Sequence, residues 1–309
     1  MKKNPTILVI LGPTASGKTK LAVELARVHN GEIISVDSRQ VYKGMDIGTG
    51  KDLAEYGKGK TAVKFHLIDV ADPKSPYDLY QYQKAAQKAI LDVLKKGKLP
   101  ILVGGSGLYL QAVVDGYILD NLSPRTTDSS EEDSMTLTEI QNKVKTIDKA
   151  FFDRLNNSEK NNKRRLIRYL EILQNSSKLH AQPKAKKPPY DFKVIGLQVG
   201  METLRKRIKQ RILDRLENDA MIKEVADLHK QGLSWPRLES FGLEYKFVSQ
   251  LLQKKLNREE MINKLATATG QFAKRQMTWF RRWEKQGREI SWIKSKKEIE
   301  KFISSFSHQ

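Results

Sequence analysis

The chain has 309 residues, no cysteine and a formal net charge of +20, from 56 Lys and Arg against 36 Asp and Glu. The length allows two domains with a sizeable core, and the absence of cysteine excludes disulfides, thiolate nucleophiles, iron–sulfur clusters and cysteine-held zinc. The charge far exceeds the magnitude of ~2 to 8 that solubility asks of a small domain, so an anionic partner is implied. Residues 201–309 hold 24 basic and 14 acidic side chains, half of the whole excess. With no lipid-anchor motif, nucleic acid is favoured over a membrane surface. The run Ile7 to Leu11 is too short for a secretory signal and no later run approaches a membrane span, so a soluble cytoplasmic protein is expected.

Thr6 to Leu11 reads as a strand, Gly12 opens a glycine loop, and from Thr19 the apolar residues Leu21, Leu25 and Val28 recur at helical spacing. Glu32 to Val36 is a second strand. Pro76 is expected to open a long helix with Tyr82, Ala86, Ala89 and Val93 on one face, Gly97 stops it, and Leu99 to Val103 is a third, buried strand. Alternating strands and helices predict an α/β fold built on a doubly wound parallel sheet. After Gly116 the pattern changes. Leu119 to Met135 is a polar linker with an acidic run at Glu131 to Asp133, Leu137 to Asn175 is helical throughout, and Gln182 to Tyr190 is a Lys- and Pro-rich connector. The expected organisation is therefore a core in residues 1–116, an α-helical insertion in 117–190, and core completion with basic C-terminal helices in 191–309. In that last part Lys193 to Gln198 returns as a strand, and Met201 to Gln231, Tyr245 to Lys254 and Arg258 to Arg282 are mostly helical.

Gly12-Pro13-Thr14-Ala15-Ser16-Gly17-Lys18-Thr19 matches G-x-x-x-x-G-K-S/T between a strand and a helix, where that motif belongs. Its backbone N–H groups and the helix N-terminus suit phosphate oxygens, Lys18 adds a charge, and the Thr19 hydroxyl can ligate Mg²⁺. Asp37 directly follows the second strand, at the carboxyl edge of the sheet where open α/β folds bind ligands. It is a candidate general base or metal ligand, or a turn cap with Ser38. Gly104-Gly105-Ser106-Gly107-Leu108-Tyr109 forms another glycine loop on the same edge. Two such turns suggest a phosphorylated substrate and a second ligand. Arg164, Arg165 and Arg168 crowd one side of a helix opposite Leu166, Leu170 and Leu173, as backbone clamps or as a solvated face with Glu171. Near the C-terminus Ala266, Ala273, Met277 and Phe280 form an apolar stripe, Gln271, Arg275, Thr278 and Arg282 another face, with Lys274 and Arg281 flanking it. Trp279 and Trp283 read as core or boundary aromatics. The five histidines show no ligand spacing for zinc.

Five blocks in order, GPTASGKT at 12–19, DSRQVYKGMDIGTGK at 37–51, GGSGLY at 104–109, RRLIRYLEI at 164–172 and AKRQMTWFRRW at 273–283, resemble the landmarks of the tRNA dimethylallyltransferases, nearly end to end. The resemblance implies a P-loop NTPase-like fold and transfer of a dimethylallyl group from its diphosphate to N6 of the adenosine immediately 3′ of the anticodon, with Mg²⁺ and release of diphosphate. It implies that residues 12–19 take the diphosphate rather than ATP, with Lys18 and Thr19 active in catalysis and Thr19 on the metal. Asp37 would be the base, and Asp37, Ser38, Arg39, Gln40 and Ser106 would surround the extruded adenine. The implied tRNA contacts include Arg164, Arg165, Arg168, Lys274, Arg275, Gln276 and Arg281, gripping the anticodon stem-loop; a monomer is expected. Three positions depart from the family pattern: Ser129 stands for an arginine, with Arg125 the nearest basic residue, Gly270 stands for another arginine, and Ser106 replaces a threonine while keeping its hydroxyl. A small-molecule kinase would share the loop and Asp37 but has no need of the basic C-terminal third. An enzyme of free adenine nucleotides needs less basic surface, and a non-catalytic RNA binder has no use for Lys18, Thr19 and Asp37 together.

Overall fold

The computed structural model describes residues 4–119, 134–175 and 185–305. Arg125, Ser129, the acidic run and the start of the Lys- and Pro-rich connector lie outside them. The first part of the core runs β1 (Thr6–Leu11), α1 (Lys18–Val28), β2 (Gly31–Val36), β3 (Phe65–His66), α2 (Leu79–Lys95), β4 (Leu99–Gly104) and α3 (Gly107–Val114). Helix α2 begins three residues after Pro76, because Asp78 forms a capping box with Gln81: its carboxylate accepts the Gln81 N–H while the Gln81 side chain accepts the Asp78 N–H.

Residues 137–175, expected to be helical throughout, form four helices: α4 (Leu137–Ile147), α5 (Lys149–Arg154), α6 (Asn157–Lys160) and α7 (Lys163–Asn175). The breaks fall where short polar side chains take over backbone donors. Asp148 caps α5 by accepting from the Phe151 N–H, and Asn156 makes a capping box with Glu159. Helices α4, α5 and α7 enclose their own apolar cluster, including Ile140, Val144, Phe151, Phe152, Leu166 and Leu170, apart from the clusters on the sheet. The chain leaves and returns at one point, where the Lys186 N–H donates to the Gly116 carbonyl at 2.9 Å and Tyr117 bridges Ala185. Gly116 has φ +66°, and a Cβ there would stand 2.1 Å from the Lys186 oxygen, so glycine is required at this junction.

The remainder comprises β5 (Asp191–Leu197), α8 (Met201–Arg215), α9 (Ala220–Lys230), α10 (Trp235–Ser240), α11 (Leu243–Leu252), α12 (Arg258–Lys285), β6 (Ser291–Ile293) and α13 (Lys296–Ser305). The mostly helical stretch expected over 201–231 is two helices, α8 and α9, separated at left-handed Asn218 and Asp219. All strands join one parallel sheet in the order β3-β2-β4-β1-β5-β6. Alternation divides each central strand between two cores. Ile7, Val9 and Leu11 pack with Tyr82, Ala86 and Ile90 of α2 and with α12, whereas Leu8 and Ile10 pack with Leu21, Ala22 and Leu25 of α1. Because β2, β4 and β1 are neighbours, the loops after all three emerge side by side at the carboxyl edge. Among the described residues no helix is long and apolar enough to cross a membrane.

Candidate active site

The three loops surround a cavity of about 330 Å³ lined by Lys18, Thr19, Asp37, Gln40, Gly105 and Gln276, among others. The loop after β1 is shaped by two left-handed residues, Ala15 at φ +60° and Gly17 at φ +89°, and α1 begins at Lys18. Its first N–H groups, unpartnered within the helix, therefore open onto the cavity. Gly12 permits close packing: a Cβ there would lie 2.8 Å from Ser16 Oγ. Ser16 Oγ is itself buried with no hydrogen-bond partner in the structure. Lys18 Nζ donates to the Pro13 carbonyl at 3.3 Å. Burial, and next the nearby Arg211, lower the Lys18 ammonium to about 8, against the opposing pull of Asp37, Glu55 and Asp52. A cation held in this way gains most when an anion enters.

The Asp37 carboxylate is both a turn cap and part of the cavity wall, since Oδ1 accepts from the Arg39 N–H at 2.8 Å and the Gln40 N–H at 3.3 Å. The neighbouring loop is tied on by the Ser38 N–H, which donates to Ser106 Oγ at 3.3 Å. Gln40 bridges inward: Oε1 accepts from the Ser35 hydroxyl at 2.9 Å and Nε2 donates to the Gly50 carbonyl at 2.9 Å. Arg39 is half-buried, and desolvation lowers its pKa; Tyr42, Asp37 and Tyr109 oppose the shift while Arg164 of α7 adds to it. Arg164 is thus close enough to be felt at the site, as a like charge that repels Arg39.

Gln276, expected at the RNA surface, is buried. Its Oε1 accepts the Thr14 N–H at 2.8 Å and its Nε2 donates to the Gly105 carbonyl at 3.0 Å, so both ends of the amide are committed to locking two glycine loops together. Lys274, Arg275 and Arg281 are exposed on α12. Arg164 is exposed, Arg165 pairs with Glu159 at 3.2 Å and Arg168 with Glu171 at 2.9 Å. Trp283 is buried with Nε1 donating to Asp115 at 2.9 Å, and Trp279 sits against Gly107 under the Arg282 guanidinium, 4.2 Å from its ring centroid.

Several lining residues lie beyond what the motifs point to. Arg207 and Arg211 of α8 reach the phosphate loop, donating to the Ala15 carbonyl and to Thr14 Oγ1, each at 3.4 Å, and Arg211 also pairs with Asp52 at 2.7 Å. Their i,i+4 spacing was a signal, but Arg205 and Lys209 repeat it one face away, so only the packing of α8 picks out the pair. The loop carrying Thr49 and Gly50 is held by Glu224 of α9, whose carboxylate accepts the N–H groups of Asp46, Ile47 and Gly48 and the Tyr245 hydroxyl. Within that loop Lys51 is fully buried, donating to the Tyr42 carbonyl and to Asp46 and Asp69.

A parallel sheet with a phosphate loop after its first strand, cations reaching in from a later helix and a carboxylate at the end of β2, one strand beyond β4, defines a P-loop NTPase-like, phosphate-handling α/β protein. The sequence pattern of the IPP transferase family matches residues 40–283. The chain is 43% identical over 297 residues to tRNA dimethylallyltransferase 1 of Syntrophus aciditrophicus, covering 95% of this chain and 94% of that protein. It is 45% identical over 295 residues to tRNA dimethylallyltransferase 2 of Treponema denticola, covering 93% and 95%. The crystal structure of the tRNA isopentenylpyrophosphate transferase from Bacillus halodurans superposes with a TM-score of 0.68 at 31% identity, covering 98% of this chain and 95% of that one. A eukaryotic dimethylallyltransferase captured acting on tRNA gives 0.73 at 25% identity, covering 94% of this chain and 74% of that one. This chain belongs to the IPP transferase family.

Proposed function

We propose that the chain transfers a dimethylallyl group from dimethylallyl diphosphate to N6 of the adenosine immediately 3′ of the anticodon in tRNA, releasing diphosphate. The observation that carries this reading is that the phosphate loop, Arg207 and Arg211 line one cavity with Asp37. A diphosphate leaving group and a proton acceptor are thereby served in a single site. The names of the relatives support the same activity.

The exocyclic amine of adenine is a poor nucleophile. As its nitrogen bonds to C1 of the dimethylallyl group, the C1–O bond breaks, the electron pair leaves on the diphosphate, and the N6 proton passes to the Asp37 carboxylate. Lys18, Arg207, Arg211 and the backbone donors at the start of α1 stabilise the charge gathering on the leaving oxygens. A hard cation suits the oxygen donors here: Thr19 lines the cavity, and its hydroxyl would hold Mg²⁺. When bound, Mg²⁺ neutralises leaving-group charge. Extruding the adenine costs a few kcal/mol, which phosphate contacts to Arg164, Lys274, Arg275 and Arg281 offset. In this reading the enzyme works in the cytoplasm as a monomer.

Mass spectrometry of nucleosides from tRNA incubated with the protein, Mg²⁺ and dimethylallyl diphosphate should reveal N6-dimethylallyladenosine beside the anticodon. Unmodified adenosine, or ADP formed in step with turnover on added ATP, would overturn the reading.

A further inference from the structure

Glycines aside, the lining of the cavity is polar or charged except at Ala15, Tyr56, Val103 and Phe272. Tyr56 and Val103 belong to the buried core, 4% and 5% exposed, whereas Phe272 is 39% exposed. A large aromatic left open beside a cavity that otherwise suits a diphosphate offers the apolar surface that the remainder of such a substrate needs. Its position is held firmly. Phe272 precedes Gln276 by four residues on α12, so the two share a face of the helix, and the Gln276 amide locks that face to both glycine loops. The Arg275 guanidinium lies 5.9 Å from the Phe272 ring centroid, steadying its other flank.

We propose that the prenyl group of the donor packs against Phe272 and that this ring limits the length of prenyl chain the enzyme accepts. The inference rests on the function proposed above and adds the residue that sets donor specificity. Diphosphate contacts cannot distinguish donors that share the same head, so discrimination must come from apolar contact with the tail.

The test compares dimethylallyl diphosphate with geranyl diphosphate, one isoprene unit longer, as donors to one tRNA for the wild-type protein, Phe272→Ala and Phe272→Leu. The ratio of kcat/KM for geranyl over dimethylallyl should rise by about tenfold or more in Phe272→Ala, the scale on which a few methylene contacts discriminate. It should rise less in Phe272→Leu, with tRNA Kd constant to within about twofold in both. An unchanged ratio in both variants would overturn the proposal. So would weakened tRNA binding at constant ratio, which would make Phe272 a platform for a base. Failure of the wild-type protein to use dimethylallyl diphosphate at all would instead sink the proposed function, and this inference with it. Because Phe272 stands outside the buried core, thermal unfolding should remain close to wild type, and the leucine variant carries the comparison should alanine unfold.

Discussion

The Asp37 carboxylate accepts hydrogen bonds from its own turn while lining the cavity, so truncating it mixes loss of chemistry with loss of a cap. Asn keeps an oxygen for the two N–H groups and cannot take a proton at neutral pH. Asp37→Asn should therefore lower the single-turnover rate by ~10² to 10⁴, the usual worth of a general base, with tRNA affinity and unfolding midpoint near wild type. A rate close to wild type would eliminate Asp37 as the base. Lys18 gives a second handle. With its pKa lowered to about 8, it is charged below that pH and neutral above it. Anion binding needs the charged form, so pyrophosphate affinity should hold steady up to about pH 8 and then weaken by roughly tenfold per unit, until the higher pKa of the complex is reached. Calorimetric titration of wild type against Lys18→Ala checks this, since the ratio of the two cancels the ligand's own ionisation; a ratio independent of pH from 7 to 10 would contradict it.

At the scale of elements, strands and long helices follow from patterning, but breaks and attachments follow from single polar side chains. The breaks at Asp148 and Asn156 were available as cap residues in the sequence, yet Asn142 and Asp153, of the same types, lie inside helices, so residue type alone does not say where a helix stops. Glu224 is one such attachment, a carboxylate from α9 receiving three consecutive N–H groups of a loop far earlier in the chain. Glu224→Ala leaves those donors without a protein partner. It should cost about 2 kcal/mol in urea unfolding, hydrogen bonds to charged groups being worth more than neutral ones. The amides of residues 46–48 should also exchange faster, while those of β1 keep their protection relative to global stability. Equal loss across both regions would mean the loop is held by something else.

For the whole molecule, the excess of positive charge suits a polyanionic substrate such as tRNA. Tight binding should fall steeply with salt. Arg164→Ala or Arg275→Ala should each lower the log–log salt slope by ~0.7 to 0.9 and weaken all substrate tRNAs alike, the mark of a lost phosphate contact. Filter binding across a salt series decides this: an unchanged slope and affinity in both variants would make these arginines ordinary solvated surface. Arg168, paired with Glu171, should contribute less than Arg164.

The phosphate loop, the Asp37 turn and the parallel sheet were legible in the sequence because each is local: a motif between a strand and a helix, a carboxylate at a strand end, an apolar run bounded by turns. The order β2-β4-β1 that sets three loops side by side was not, since strand neighbours are chosen by packing between distant segments. The short edge strands Phe65–His66 and Ser291–Ile293 carry too few residues to show a period. For the same reason the sequence marked Gln276 as one polar residue in a basic block, whereas burial against two loops makes it an internal clamp. Arg207 and Arg211 differ from the other cations of α8 only in the direction they face, and a helix acquires a direction only when it packs. Local chemistry was thus written in the chain, while the choice of which side chains share one cavity was made by the tertiary structure, where burial and charge act between residues far apart in sequence.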